Sequence, residues 1–206
     1  MLSYWTDVLL NKGLDEQRCQ HQICLENEFG KSDYTVIDLE YEVSSESEFR
    51  YQGERKTKTG ERPTPRFDIV AVRNINHQLC VIELKKGVNA LSGTSGIQEH
   101  AESFANTIGH DAGCQTAFIN EMKGIIDLKK TMGLIPDDLF IDEKYPVEFL
   151  FAYQFIATDQ THATFDQQKQ LFAHYQNETN IHGVNYAKNK RVIWLDDKCF
   201  SLMDDK

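Results

Sequence analysis

Residues 66–87, RFDIVAVRNINHQLCVIELKKG, read as two short strands joined by a polar turn. The strands are residues 67–72 and 79–85, both rich in Ile, Val and Leu, and residues 73–78 supply the turn. Successive side chains of a strand point to opposite faces. Phe67, Ile69 and Ala71 are therefore expected on one face, with Asp68, Val70 and Val72 on the other. In the second strand Leu79, Val81, Glu83 and Lys85 share a face, opposite Cys80, Ile82 and Leu84. Three ionisable groups thus sit inside apolar strands, and a hairpin of this length can bring Asp68 close to Glu83 and Lys85.

Burying such groups unpaired is costly, and two adjacent carboxylates repel unless a cation lies between them. A divalent metal ion removes both difficulties. Mg²⁺ prefers oxygen ligands and keeps several waters. Asp68 and Glu83 would supply oxygens, with the backbone carbonyl of Leu84 as a third donor. Lys85 would lie near a metal-bound water, where it could orient or deprotonate that water or steady a phosphate.

Asp68, fourteen residues, then Glu83-Leu84-Lys85 resembles the D…ExK core of the PD-(D/E)xK nuclease superfamily. The flanking FDIVAV and CVIELKKG make the match more specific than the bare spacing, because an apolar context argues against a solvent-facing hairpin. The Pro that commonly precedes the Asp is replaced by Phe67, with Pro65 two residues further back. The resemblance implies an α/β restriction-endonuclease-like fold: an αβββαβ core in which helices flank a mixed central sheet. It also implies Mg²⁺- or Mn²⁺-dependent cleavage of phosphodiester bonds, with DNA favoured over RNA as substrate. An N-terminal helix in this superfamily often adds a Glu to the site. Glu16 and Glu26 are the two candidates, and the pattern Glu16-x-x-Cys19-x-x-x-Ile23 favours Glu16. Several branches carry a Gln or Lys early in the helix after ExK, which makes Gln98 the corresponding candidate. His100, close behind it, is a weaker candidate, since a lone histidine near a helix start is more often a surface or capping residue.

The chain has 206 residues and a formal charge of −10, with 40% hydrophobic and 26% charged residues. This suits one globular domain with a sizeable core. No apolar run approaches a membrane span, and the opening MLSYWTDVLLNKG lacks the basic region and cleavage site of a secretory signal. Five cysteines without a CxxC pair read as reduced thiols of a cytoplasmic protein. Nucleic-acid binders usually carry a basic footprint, so the acidic balance needs an explanation. The charge is uneven: residues 50–66 hold Arg50, Arg55, Lys56, Lys58, Arg62 and Arg66 against Glu54 and Glu61, a local +4. This strip reads as a local substrate contact in a chain that otherwise relies on a partner protein or a homodimer.

In order along the chain, residues 1–12 read as an amphipathic opening and residues 15–29 as a helix. Residues 34–43 read as a strand with an acidic face (Asp38, Glu40, Glu42) that is solvent-facing unless Glu40 or Glu42 turns to the site. Residues 49–55 suggest a short strand and residues 56–65 a basic loop. A helix is expected over 97–108, with Ile97, Ala101, Phe104, Ala105 and Ile108 as its apolar stripe, and another over 113–130. Residues 147–157 read as a buried strand. A helix capped by Thr164 or Asp166 should follow, then a strand over 191–195 and an edge over 199–203. The acidic stretch Asp137, Asp138, Asp142, Glu143 lacks the spacing of a calcium loop.

These features point to a metal-dependent nuclease, and the resemblance alone implies a restriction, defence or repair role. Asp68, Glu83 and Lys85 form its core, Glu16 and Gln98 support them, and Arg55, Lys56, Lys58, Arg62 and Arg66 contact substrate. The alternative is a non-catalytic domain of the same fold that binds nucleic acid or protein. A hydrolase of small phosphoesters is a third reading, to be told apart by a closed pocket in place of a groove.

Overall fold

The computed structural model describes residues 15–54, 60–61, 63–93, 96–156, 163–179, 191–195 and 200–204. Their elements are α1 (Asp15–Glu26), β1 (Tyr34–Glu42), β2 (Arg66–Arg73), β3 (Gln78–Lys86), α2 (Ile97–Ala105), α3 (Ala112–Thr131), β4 (Glu148–Gln154), α4 (Phe165–Glu178) and β5 (Val192–Leu195). The five strands form one sheet in sequence order, β1-β2-β3-β4-β5. The first three are antiparallel neighbours, while β4 runs parallel to β3 and β5 parallel to β4. This mixed arrangement follows from the connections. A tight turn can join antiparallel strands, whereas parallel neighbours need a long crossover, here α2 with α3 and then α4.

Each face of the sheet has its own core. One holds Ile37, Tyr41, Phe67, Val70, Val72, Val81 and Phe149 against the apolar faces of α2, α3 and α4. The other packs Ile69, Ala71, Cys80, Ile82, Leu84, Leu150 and Ala152 against Cys19 and Ile23 of α1. The strands β3 and β4 are covered on both sides, which explains their near-continuous apolar runs. The Asp111 side chain caps α3 by accepting from the Cys114 N–H. Thr164 opens α4 in a capping box with Gln167. No helix among the described residues is long and apolar enough to cross a membrane.

Two expected strands are absent. Residues 49–54 form turns and irregular chain, anchored by buried Phe49 and Tyr51 and by the Gln52 N–H, which donates to the Asn106 carbonyl. Residues 200–204 also form no edge strand. They dock through Asn27, the residue after α1, which donates to the Phe200 carbonyl at 2.8 Å and accepts from the Leu202 N–H at 2.6 Å. In both segments side-chain anchoring and loop hydrogen bonds take the place of a ladder. The helix α1 also stops at Glu26, short of residue 29. Residues 1–12 of the expected opening and most of the 56–65 loop lie outside the described residues.

The end of the sheet where β2 stops and β3 begins is closed by a buried polar knot. The Arg73 side chain lies 2.5 Å from Glu148 Oε2 and donates to Gln78 Oε1 at 2.9 Å and to the Tyr34 hydroxyl at 2.9 Å. The Tyr34 hydroxyl in turn donates to Asp204 Oδ1 at 2.5 Å. Burial pushes the Tyr34 hydroxyl well above the usual tyrosine range, so it remains a donor. Removing one partner of such a knot strands the other charge. Glu148→Ala is expected to lower unfolding stability in urea by about 3–5 kcal/mol, whereas replacing Arg73 and Glu148 together with Met should cost clearly less.

Candidate active site

The opposite end of the same two strands carries the acids. The β2–β3 ladder runs from Arg73 paired with Gln78 to Ile69 paired with Ile82. Beyond it, where the next backbone bonds would fall, the Leu84 N–H donates to Asp68 Oδ2 at 2.8 Å. The N–H and C=O of a strand residue leave on the same side, so the Leu84 carbonyl faces the same gap between the strands. Asp68 is 8% exposed, Glu83 0% and Lys85 4%.

In β3 the expected alternation holds. Leu79 and Val81 belong to one core, and Cys80, Ile82 and Leu84 to the other. Glu83 accordingly faces α2, where His100 Nδ1 lies 2.6 Å from its Oε2. The start of α2 requires a glycine. A Cβ on Gly96 would fall 2.7 Å from the Ser92 backbone. From that start Ile97, Ala101, Phe104 and Ala105 are buried, and His100 stands between Ile97 and Phe104 on the same side of the helix.

In β2 the alternation fails. Phe67, Val70 and Val72 share one core while Ile69 and Ala71 lie in the other, so the expected grouping of Phe67 with Ile69 is corrected. The break centres on Asp68, which turns toward α1. Its neighbour in β1 is equally irregular. Leu39 pairs with Ile69 and Tyr41 with Phe67, which sets Glu40 beside Asp68. Glu40 has φ 54°, and the register also shifts between Val36 and Asp38. Each irregularity reverses the facing of the residues that follow. Ile37 and Tyr41 therefore enter one core while Val36 and Leu39 pack on the other. The uniformly solvent-facing acidic face expected of β1 is not formed: Glu42 is exposed, while Glu40 reaches into the site.

Gln20 of α1 joins these acids. Its Nε2 donates to Asp68 Oδ1 at 3.2 Å and to Glu40 Oε1 at 2.5 Å, and the side chain is buried. Arg66 Nε lies 2.9 Å from Glu40 Oε2, with the Arg66 side chain 61% exposed. Of the two helix glutamates considered, Glu26 accepts from the Gln22 side chain and the Phe200 N–H, away from Asp68. Glu16 stands one turn ahead of Gln20 in α1, and its side chain lies outside the described atoms. Gln98 gives its amide to Glu102 in the next turn of α2. Arg55, Lys56, Lys58 and Arg62 lie outside the described residues.

Among the described residues no group of three or more His, Cys, Asp or Glu side chains forms a metal-holding cluster. The chemistry available is two carboxylates and a carbonyl at the end of a ladder. That set fits a hard cation that keeps most of its own water, such as Mg²⁺ or Mn²⁺, and does not fit a metal enclosed by side chains alone. Gln20 was missed as a contact residue in sequence, and His100 ranked there below Gln98. Both carried a signal: each is a polar residue on the inward stripe of its helix, Gln20 with Ile23 and Asn27, His100 with Ile97 and Phe104. The chain matches no family model, no curated protein and no solved structure.

Asp68 also has a structural duty that can be measured without metal. Asp68→Ala leaves the Leu84 N–H without its acceptor and the Gln20 amide with Glu40, and should lower stability in urea by about 1–3 kcal/mol. Asp68→Asn keeps one oxygen for the Leu84 N–H and should cost less.

Proposed function

We propose that this protein is a metal-dependent nuclease of the PD-(D/E)xK type, hydrolysing phosphodiester bonds of nucleic acid, with DNA preferred. One observation carries the reading: Asp68, Glu83 and Lys85 are all buried where the β2–β3 ladder ends. Buried ion pairs are a poor way to stabilise a sheet, since apolar residues of similar size commonly do as well or better. Ionisable groups collected at such cost are candidates for chemistry. The order α1-β1-β2-β3-α2-β4, with β3 parallel to β4, supports the restriction-endonuclease-like αβββαβ core.

Asp68, Glu83 and the Leu84 carbonyl would hold the Mg²⁺ or Mn²⁺. When bound, the metal lowers the pKa of its water and polarises the phosphodiester. Lys85 orients the water or steadies the phosphate. His100 fixes the Glu83 carboxylate from α2, and Gln20 fixes Asp68 from α1. Arg66, largely exposed at the start of β2, offers its guanidinium to a backbone phosphate beside the site, and Arg55, Lys56, Lys58 and Arg62 are the further substrate-contact candidates in sequence. Glu16 and Gln98 remain the supporting candidates on α1 and α2. The acidic remainder of the chain favours a partner protein or a homodimer for delivery, and the free thiols of Cys19, Cys24, Cys80 and Cys114 suit the cytoplasm. A restriction, defence or repair role fits such an activity.

The test is cleavage of plasmid, linear and single-stranded DNA and of RNA at low salt with Mg²⁺, Mn²⁺ or EDTA. The wild type should cut only with metal. Asp68→Ala, Glu83→Ala and Lys85→Ala should each lower the rate by at least about a hundredfold. Folded wild type that cuts nothing yet binds nucleic acid equally well in EDTA would instead make this a binding domain of the same fold.

A further inference from the structure

Resting on the nuclease reading, we propose that Gln20 is the positioning residue of the Asp68 carboxylate and that Glu40 fixes the Gln20 amide. A side-chain amide has a donating and an accepting end. Here one Nε2 reaches two carboxylate oxygens, Asp68 Oδ1 and Glu40 Oε1. Ionised carboxylates only accept, so turning the amide over would set its carbonyl against both. The orientation is therefore dictated by its neighbours. Glu40 takes one N–H, and the other is aimed at Asp68.

Asp68 is then held at both oxygens, by Gln20 at Oδ1 and by the Leu84 N–H at Oδ2. With both oxygens held, the plane of the carboxylate is fixed. Gln20 also separates Asp68 from Glu40 without adding charge. A lysine in its place would compete with the metal, and a hydrocarbon would leave two acids facing each other. The far end of the chain is anchored as well, because Arg66 Nε holds Glu40 Oε2. Glu40 supports this role at some expense to the backbone. Its φ of 54° is a left-handed conformation that is strained for a non-glycine residue and persists where surrounding structure imposes it. What that backbone achieves is to turn Glu40 toward Gln20.

Mn²⁺ binding to the full chain, followed by the electron paramagnetic resonance signal of free Mn²⁺, tests this without relying on cleavage. Wild type should bind, and Asp68→Asn should lose binding. Gln20→Leu should weaken affinity about 10- to 100-fold, the usual effect of removing a residue that orients a metal ligand. Glu40→Gly should weaken it less, with no fall in thermal midpoint, because glycine accepts the left-handed backbone. Glu42→Gln, which removes the same charge at an exposed position of the same strand, should bind as wild type does. If Gln20→Leu does not fold, Glu40→Gly against Glu42→Gln decides. Wild-type affinity in Gln20→Leu and Glu40→Gly alongside loss in Asp68→Asn overturns the positioning role and leaves the nuclease reading standing. Equal weakening in Glu40→Gly and Glu42→Gln reduces the effect to net charge and also overturns it. Wild type that does not bind Mn²⁺, or binds it as Asp68→Asn does, overturns both.

Discussion

The hydrogen bond from the Leu84 N–H to Asp68 Oδ2 is the contact on which the site depends. A buried backbone N–H must be paired, and at this point β2 no longer offers a carbonyl in register. A side chain takes over the duty of the main chain. That substitution lets the two central strands separate without an orphaned donor, and it fixes a carboxylate at the gap so created. Glu83 and Lys85 follow from the same point, because β3 continues its alternation past it in partnership with β4. An apolar residue at 68 would satisfy neither the backbone nor any chemistry.

The two ends of β2 and β3 solve the problem of buried charge in opposite ways. Around Arg73 the guanidinium meets Glu148, Gln78 and the Tyr34 hydroxyl, so the charge is answered within the protein. Around Asp68 a neutral amide, Gln20, stands between two acids, Asp68 and Glu40, while Glu83 on the next strand meets the His100 imidazole. Arg66, mostly in solvent, adds a cationic contact to Glu40. The first end is regular, with the ladder intact to its last pair. The second holds the β1 and β2 irregularities. Regular pairing and complete neutralisation give rigidity; broken alternation gives freedom over where a side chain points.

What could be read in the sequence was what periodicity controls. The hairpin of β2 and β3, the apolar stripe of α2, the buried β4 and the cap at Thr164 all announce themselves through spacing and composition. What could not be read was set by neighbours distant in the chain. The alternation of β2 fails at Asp68 because Glu40, across the ladder, leaves the extended region, and no local pattern in FDIVAV encodes that. Residues 49–54 have the composition of a strand, but the Gln52 N–H finds its acceptor at Asn106 and no sheet edge. His100 ranks low as a candidate in sequence because a lone histidine near a helix start is often a surface residue. Its place on the stripe between Ile97 and Phe104 was the better guide. Gln20 was hidden for a related reason: attention to carboxylates passes over the amides that aim them.

The anchoring of α1 by residues 200–204 bears on the order in which the molecule can assemble. The strands β1, β2 and β3 lie close in sequence and can pair through short loops, at small entropic cost. Asn27, by contrast, takes its partners from positions 200 and 202, a separation of 173 to 175 residues. The helix that carries Gln20 is therefore clamped only when the last part of the chain folds back over it. During synthesis the acids of β1, β2 and β3 can gather early, but the amide that orders them has its seat completed late. A chain lacking residues 200–204 would carry Gln20 on a helix without this clamp, and an activity resting on that arrangement would be weakened.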